Sequence, residues 1–238
     1  MSFIPKTDLF IVTSALRTGI GVIDEQTRLN QTIEGLKSLR KAAPDAIIMW
    51  VDASSRMVDE ATITQVTQYC DKSINFFGDE DLMSLANAGL KSQAEITLLF
   101  KTLNIIKQHP ELQKMMAGVR RVFKLSGRTN MLEGYDPKEY DDLYGKYVFK
   151  KRIPSWLPPQ KQLESGCDHL YITRMYSFCM SLFDDYYATL PLIYRKIGEF
   201  NIDTEHSHFA SIDKSKVVEF DNLYCQGMLA GNGQVEVY

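Results

Sequence analysis

The sequence predicts an α/β fold in which a mostly parallel, Rossmann-like sheet carries helices on both faces. Short apolar runs with β-branched residues recur at residues 9–12, 46–51, 73–77 and 121–125, as expected of buried strands. Segments with helical periodicity lie between these runs, and such alternation is typical of βαβ units. Because ligands of an open α/β sheet bind outside the carboxyl ends of its strands, we expect the functional site at that edge.

The helices of the first half follow from apolar spacing and from candidate capping residues. With Asp24 as its cap, the first helix is indicated by one apolar stripe, formed by Leu29, Ile33, Leu36 and Leu39. A short helix is predicted over residues 61–69, and residues 78–81 form an acidic loop. A longer helix should begin near Ser92, its candidate cap, and end before Pro110.

The second half of the chain has a different character. Residues 135–159 are rich in Tyr, Asp, Lys and Pro and predict loops or a β-ribbon that would serve as a lid or an acceptor-side insertion. Residues 173–194 are apolar almost all round and predict one or two buried helices, whereas residues 216–220 predict a strand. We expect a single domain over residues 1–238, with a nucleotide-binding half up to about residue 130 and an acceptor or catalytic half after it.

Composition and charge narrow the classes of function. With 45% hydrophobic residues, a chain of 238 residues can bury a continuous core. The net charge of −3 gives no electrostatic basis for binding nucleic acid, so no such partner is expected. No signal-peptide pattern and no apolar run of transmembrane length occurs, which predicts a soluble, cytoplasmic protein. The four cysteines lack CxxC spacing and are expected to be reduced and mostly buried.

Polar residues follow three of the predicted strands. Thr13 and Ser14 end the first strand, Asp52 ends the second, and Ser126-Gly127-Arg128 ends the fourth. Because the carboxyl ends of parallel strands meet at one edge, these segments should converge on one crevice. Thr13, Ser14 and Asp52 offer groups that bind a base or a ribose, and ordinary turn or capping chemistry is the alternative for each.

Two cations are placed to hold phosphate. Lys91 follows the small residues 86–90 and leads into a helix, whose dipole favours an anion. Arg128 has a fork of donors that suits a diphosphate, and a structural salt bridge is its alternative role. The Walker pattern is absent, which disfavours a P-loop kinase. Gly19 and Gly21 lack the third glycine of the dinucleotide fingerprint, so a Rossmann dehydrogenase is a weak alternative.

The densest cluster of titratable groups contains Asp203, Glu205, His206 and His208. Glu205 is the first candidate for a general base and Asp203 the second. Glu205, His206 and His208 also form a candidate site for Mn²⁺ or Mg²⁺. Two histidines with one residue between them fit a strand or loop without any ligand equally well.

The strand-end residues also carry a resemblance to a known family. Residues 123–128, Phe-Lys-Leu-Ser-Gly-Arg, resemble the Phe-Lys-hydrophobic-Ser-Gly-Arg motif of compact GT-A-type glycosyltransferases, particularly bacterial and viral ones. The similar features span residues 9–209 and include Thr13-Ser14, Arg28 with Gln31-Thr32, Asp52, Lys91 with Glu95, and Glu205-His206. Better-known members hold a metal with an Asp-x-Asp at the end of the fourth strand, and this chain lacks it there.

The resemblance implies transfer of a sugar from a nucleotide-sugar donor, commonly a UDP-sugar, to a carbohydrate or other hydroxyl acceptor. It implies Thr13 and Asp52 near the nucleoside, and Lys91, Ser126 and Arg128 near the ribose or diphosphate. The leaving diphosphate requires a cation, which is either a side chain such as Arg128 or a bound metal.

Inverting transfer requires a carboxylate that takes the acceptor proton, and Glu205 is the first choice for that base. Two other classes of function are kept as alternatives. One is a nucleotidyltransferase or another nucleotide-dependent transferase, which would also place Lys91 and Arg128 on phosphates. The other is a non-catalytic module that binds a nucleotide or sugar and uses residues 135–156, including Trp156, for contacts.

Overall fold

The computed structural model describes residues 8–18, 23–228 and 235–238. Gly19 and Gly21 therefore lie outside the described residues. The strands are β1 (Asp8–Ser14), β2 (Ile47–Asp52), β3 (Lys72–Asn75), β4 (Arg121–Ser126), β5 (Thr129–Met131), β6 (Tyr147–Lys150), β7 (Ile153–Pro154), β8 (His169–Leu170), β9 (Met175–Cys179), β10 (Val217–Phe220), β11 (Cys225–Met228) and β12 (Val235–Val237). The helices are α1 (Glu25–Ala42), α2 (Glu60–Thr67), α3 (Glu80–Asn87), α4 (Lys91–Gln108), α5 (Pro110–Met116), α6 (Pro159–Ser165), α7 (Phe183–Phe200) and α8 (Thr204–Ser211).

Seven strands form the central sheet, in the order β10-β6-β9-β4-β1-β2-β3. β1 is parallel to β2 and to β4, and β2 is parallel to β3. β9 is antiparallel to both of its neighbours, β4 and β6. This topology confirms the predicted α/β fold. The register sets Thr13 opposite Val51 and Ser126, so the predicted strand ends lie side by side.

The side chains of β1 alternate between two core clusters, as a pleated strand requires. Leu9 and Ile11 pack on one face of the sheet with α4 and α7, whereas Phe10 and Val12 pack on the other face with α1. All four are at most 2% exposed. The ring of Phe10 stacks on that of Phe123 from β4, with centroids 4.4 Å apart. Helices therefore cover both faces of the sheet, as predicted.

The helices α1, α2 and α4 lie close to their predicted positions, whereas α3 forms where no helix was predicted. Asp24 caps α1 through its side chain, as expected. The acidic segment predicted as a loop contains Asp79, which caps α3. Ser92 does not cap α4, because Leu90 occupies that position and no side chain bonds to the first turn. A further helix, α5, begins at Pro110, where the missing N–H removes no helical hydrogen bond.

The prediction of buried helices over residues 173–194 is wrong in its first part. Met175–Cys179 form β9, which is buried along its whole length, and the helix α7 begins only at Phe183. A strand that is covered on both faces is apolar at nearly every position. Its pattern therefore cannot be distinguished from that of a buried helix.

Residues 135–159 were expected to form a lid or an insertion, but much of this segment packs in the core. β6, which was expected as part of a ribbon, pairs with β9 and β10 inside the central sheet. Tyr135 and Tyr140 are 9% and 6% exposed and pack edge-on against Phe123. Trp156, in contrast, is 62% exposed. The strand predicted at residues 216–220 is confirmed as β10.

The cysteines are all free, and three of them, Cys167, Cys179 and Cys225, are buried. This confirms the expectation of reduced, mostly buried thiols. Across the described ranges, we find no helix whose length and apolar character would let it cross a membrane.

Candidate functional site

A cavity of about 270 Å³ opens at the carboxyl ends of β1 and β4. Six of the residues predicted to bind a nucleotide line it, namely Thr13, Ser14, Lys91, Ser126, Gly127 and Arg128. Distant segments thus meet at one edge of the sheet, as the topology requires. The lining also includes Arg28, Glu95 and Arg174.

The turn after β4 is pressed against the end of β1. The backbone N–H of Gly127 donates to the carbonyl of Thr13 at 2.7 Å, and the N–H of Ser126 donates to the carbonyl of Arg174 at 2.8 Å. A Cβ atom on Gly127 would lie 3.0 Å from the Cβ of Ser14, so a larger residue would push the strands apart. This close approach fixes the turn that presents Arg128.

Asp52 does not occupy the position that was predicted for it. Its side chain is fully buried and is not part of the cavity lining. The carboxylate accepts hydrogen bonds from Ser14 Oγ at 2.6 Å, Leu16 N at 3.0 Å and Ser54 N at 2.9 Å. Asp52 therefore ties together the two loops that follow β1 and β2, and its full burial leaves no exposed oxygen for a direct bond to a base or ribose.

Three arginines face the cavity. Arg28, on α1, donates to the carbonyl of Ile23 at 3.0 Å and is 8% exposed. Nη1 of Arg128 is buried and has no hydrogen-bond partner among the described residues. Burial, and then the charges of Arg28 and Arg174, lower the pKa of Arg128 to about 10. Among the described residues, Arg128 forms no salt bridge, which was its alternative role.

Lys91 is the first residue of α4 and is exposed at the cavity edge. The N-terminal turn of this 18-residue helix receives no side-chain cap. Its N–H groups and dipole thus face the same space as the lysine, which favours an anion there.

Glu95, one turn along α4, is held by a buried lysine. Lys124 lies in the middle of β4, is 2% exposed, and donates to the Glu95 carboxylate, to Ser126 Oγ at 3.1 Å and to the Thr173 carbonyl at 2.9 Å. Burial by itself would raise the pKa of Glu95, but the Lys124 ammonium outweighs it and holds that pKa below its usual value. Glu95 is consequently a charged group that is already paired.

Glu205 lies near this ion pair and is not among the residues that line the cavity. Its Oε1 accepts a hydrogen bond from Thr173 Oγ1 at 3.0 Å, and the carbonyl of the same threonine accepts from Lys124. Burial raises the pKa of Glu205, and the negative charges of Glu95 and Asp203 raise it further. A carboxylate with a raised pKa is a better proton acceptor than an ion-paired one.

The structure does not bring Glu205, His206 and His208 together as a metal site. His206 is fully buried, with Nδ1 2.7 Å from Asp203 and Nε2 2.9 Å from Ser155 Oγ. His208 is also fully buried, with its ring nitrogens bonded to the Thr204 carbonyl and the Tyr186 hydroxyl. Because all four ring nitrogens are engaged, these imidazoles are structural.

Asp203 is the N-cap of α8. One of its oxygens accepts from the backbone N–H of His206 at 2.9 Å and also contacts that ring. This arrangement makes Asp203 a capping residue and a weaker candidate for the base than Glu205.

Two features of the site were not found from the sequence. Arg174 stands in a segment that was predicted to be helical, so nothing indicated that it would face the end of β4. The Glu95–Lys124 pair joins residues 29 positions apart. The position of Lys124 could have indicated such a pair, because a charged residue inside a buried strand requires a partner.

Comparison with solved structures identifies the fold. The galactosyltransferase LgtC, in complex with donor and acceptor sugar analogues, superposes with a TM-score of 0.56 at 10% identity, over 90% of this chain and 73% of that chain. The mannosyltransferase Ktr4p from S. cerevisiae gives 0.53 at 11% identity, over 89% and 68%. Core-mannan synthase A from Aspergillus fumigatus, in an Mn/GDP form, gives 0.52 at 11% identity, over 93% and 75%.

The chain has the GT-A fold. No family model matches the sequence, and no curated protein sequence matches it. At identities of 10 to 11%, the structural likeness describes the fold alone.

The residues at this GT-A site do not fit a divalent cation. Mn²⁺ and Mg²⁺ prefer carboxylate and other oxygen ligands, but the turn after β4 carries Ser126, Gly127 and Arg128. The lining carboxylate, Glu95, is paired with Lys124. Within residues 8–18, 23–228 and 235–238, no group of three or more His, Cys, Asp or Glu side chains is arranged to hold a metal ion.

Proposed function

We propose that this protein is a glycosyltransferase that moves a sugar from a nucleotide-sugar donor to a hydroxyl acceptor. The observation that carries the proposal is a cavity at the carboxyl ends of β1 and β4 of a GT-A fold, lined by Arg28, Lys91, Arg128 and Arg174. Clustered cations in a partly buried cavity suit a diphosphate. The solved relatives described above are galactosyl- and mannosyltransferases, which supports the same reaction class here.

In this proposal the diphosphate lies by Lys91, Ser126 and Arg128, and the nucleoside lies toward Thr13 and Ser14. A UDP-sugar is the donor expected from the resemblance. Thr13 belongs to the cavity wall, whereas Asp52 would act only through the loops that it holds.

The chemical step is an inverting displacement. The acceptor oxygen attacks the anomeric carbon, the bond from that carbon to the diphosphate oxygen breaks, and the diphosphate leaves with the electron pair. Glu205 takes the acceptor proton. The raised pKa of Glu205 supports this role, since a stronger base accepts the proton more readily.

A substrate panel separates this reaction from its rivals. The purified chain is incubated with UDP- and GDP-sugars and simple sugar acceptors, and release of nucleoside diphosphate is measured. Parallel reactions contain nucleoside triphosphates with sugar phosphates, and release of pyrophosphate is measured. Turnover only in the second series would indicate a nucleotidyltransferase. Binding of a nucleoside diphosphate without turnover in either series would indicate a binding module.

Glu205→Gln tests the base. Transfer should fall by about 10²-fold, the usual scale for a positioned base, while affinity for the nucleoside diphosphate stays the same. The low-pH limb of the rate profile, on which Glu205 is protonated, should also disappear. Glu199→Gln, an exposed position on α7, is the matched control. Wild-type rates in Glu205→Gln would remove this residue from the mechanism.

A further inference from the structure

We propose that Arg28, Arg128 and Arg174 hold the donor diphosphate and neutralise its charge in place of a divalent cation. This inference rests on the proposed function, because it assigns the metal's usual task at that site to three guanidinium groups. Core-mannan synthase A, which has the same fold, was solved in an Mn/GDP form. The side chains of the present chain argue for a different arrangement at its site.

The first observation is the state of Arg128. Its Nη1 is buried, borders the cavity and has no hydrogen-bond partner in the described part of the chain. An unpaired buried donor is costly, and a charged one more so. A phosphate oxygen in the cavity would supply the missing acceptor, with a geometry that the guanidinium fork matches.

The second observation is that the other two guanidiniums are anchored at the cavity wall. Arg28 donates to the backbone carbonyls of Ile23 at 3.0 Å and Ala15 at 3.4 Å. The carbonyl of Arg174 accepts a hydrogen bond from the N–H of Ser126, and the positive charge of this arginine lies near the hydroxyl of Tyr238. Groups held in this way bind an anion with little further loss of side-chain entropy.

The third observation is the balance of charge. Among the described residues, the cavity lining contains four cationic side chains, Arg28, Lys91, Arg128 and Arg174, and one carboxylate, Glu95. Lys124, behind the wall, already neutralises Glu95. A divalent cation would therefore meet like charges and no available carboxylate, whereas a diphosphate would relieve the repulsion among the arginines.

The chemistry of the reaction fits this arrangement. When the bond to the anomeric carbon breaks, negative charge develops on the diphosphate, and fixed positive groups lower the energy of that transition state. Guanidiniums stay charged and carry several directed donors, so they can act as the electrophilic groups of the step. The uncapped first turn of α4 adds further N–H donors on the Lys91 side.

Calorimetry on the full chain tests the proposal directly. UDP, GDP and inorganic pyrophosphate are titrated in buffer with EDTA and in buffer with MnCl₂, and uridine and guanosine are titrated alongside. We expect diphosphates to bind in EDTA with an affinity that Mn²⁺ does not improve. Binding that appears only with Mn²⁺ would overturn the proposal.

Variants assign the effect to the arginines. Arg174→Gln and Arg128→Gln should each weaken diphosphate binding by about 10- to 100-fold, the scale of a lost charge-assisted bond, and leave nucleoside binding unchanged. Arg174→Lys keeps the charge and should recover only part of the loss. The control is Arg120→Gln, whose arginine pairs with Asp141 away from this cavity. Unaltered diphosphate affinity in both Gln variants would refute the assignment.

A stability readout separates binding from folding. Because Arg128 lies near two like charges and has an unpaired donor, Arg128→Gln should keep or raise the melting temperature while it weakens binding. A lower melting temperature together with unchanged affinity would mark a structural arginine and contradict the proposal. Failure of the glycosyltransferase assignment would look different, because diphosphates would still bind in EDTA while no nucleotide sugar was turned over.

Discussion

Lys124, inside the buried strand β4, donates a hydrogen bond to Glu95 on the helix α4 that borders the cavity. The lysine is 2% exposed and the side chain of the glutamate is 32% exposed. The pair thus joins the core of the sheet to the wall of the proposed donor site. It also means that the carboxylate on that wall already has a cationic partner.

Lys124→Met should lower the free energy of unfolding, because Glu95 would lose its counter-charge. Breaking a fully buried pair costs about 3–5 kcal/mol, and the partial exposure of Glu95 reduces the expectation to roughly 2–3 kcal/mol. Urea denaturation at pH 7 measures this loss. Lys151→Met, which breaks the exposed pair with Asp221, should cost less than about 1 kcal/mol. Equal losses in the two variants would show that burial of the Lys124 pair has no energetic importance.

Asp8 lies at the start of β1, and its raised pKa predicts an unusual pH dependence of the protein's stability. Burial raises its pKa to about 6 from the ordinary value of 3.8, despite the nearby charges of Arg120 and Arg121. An acid whose pKa is raised by folding favours the protonated state, so its contribution destabilises the fold as the pH rises from about 4 to above 6.

Asp8→Asn should therefore stabilise the protein at pH 7 by up to about 3 kcal/mol, the equivalent of a shift of about two pH units. Denaturant unfolding curves for both proteins between pH 3.5 and 7.5 test this. The difference should become small near pH 3.5, where Asp8 is mostly protonated in both states. A constant difference across the range would mean that ionisation of Asp8 is not the cause.

Gly35, on α1, contacts the backbone that follows Arg128. A Cβ atom there would lie 2.8 Å from the carbonyl oxygen of Thr129. Although Gly→Ala inside a helix normally stabilises by about 1 kcal/mol, Gly35→Ala should destabilise by roughly 1–3 kcal/mol and weaken diphosphate binding. Thermal melts and the calorimetric titration measure the two effects.

Gly198→Ala is the matched control for this change. Gly198 lies on α7, and its nearest neighbour would be Gln93 Nε2 at 3.5 Å, an ordinary contact. This variant should be neutral or more stable than wild type. If Gly35→Ala behaved in the same way, the packing of α1 on the β4–β5 turn would not matter for the site.

Asp52→Asn distinguishes a base contact from a structural role. The carboxylate accepts three hydrogen bonds from the loops after β1 and β2, so an amide group, which has one oxygen, loses at least one of them. We expect a loss of about 1–3 kcal/mol in stability and a similar weakening of UDP and GDP binding. A change in the ratio of UDP to GDP affinity at unchanged stability would instead indicate direct contact with the base.

The sequence by itself determined the alternation of strands and helices and the edge of the sheet at which polar residues gather. Both follow from local information. Thr13, Ser126 and Arg128 directly follow or end apolar runs, and parallel strand ends must meet. The cap at Asp24 was equally predictable, since it depends on residues within one turn.

Tertiary structure decided which of these residues face the cavity. Asp52 turns inward because three donors from two loops surround its carboxylate, and Arg174 faces the end of β4 because residues 175–179 are a strand and not a helix. The Lys124 ammonium joins Glu95 and Thr173, which lie 29 and 49 positions away along the chain. Contacts at such separations depend on how the elements pack, and the periodicity of a single segment carries no information about them.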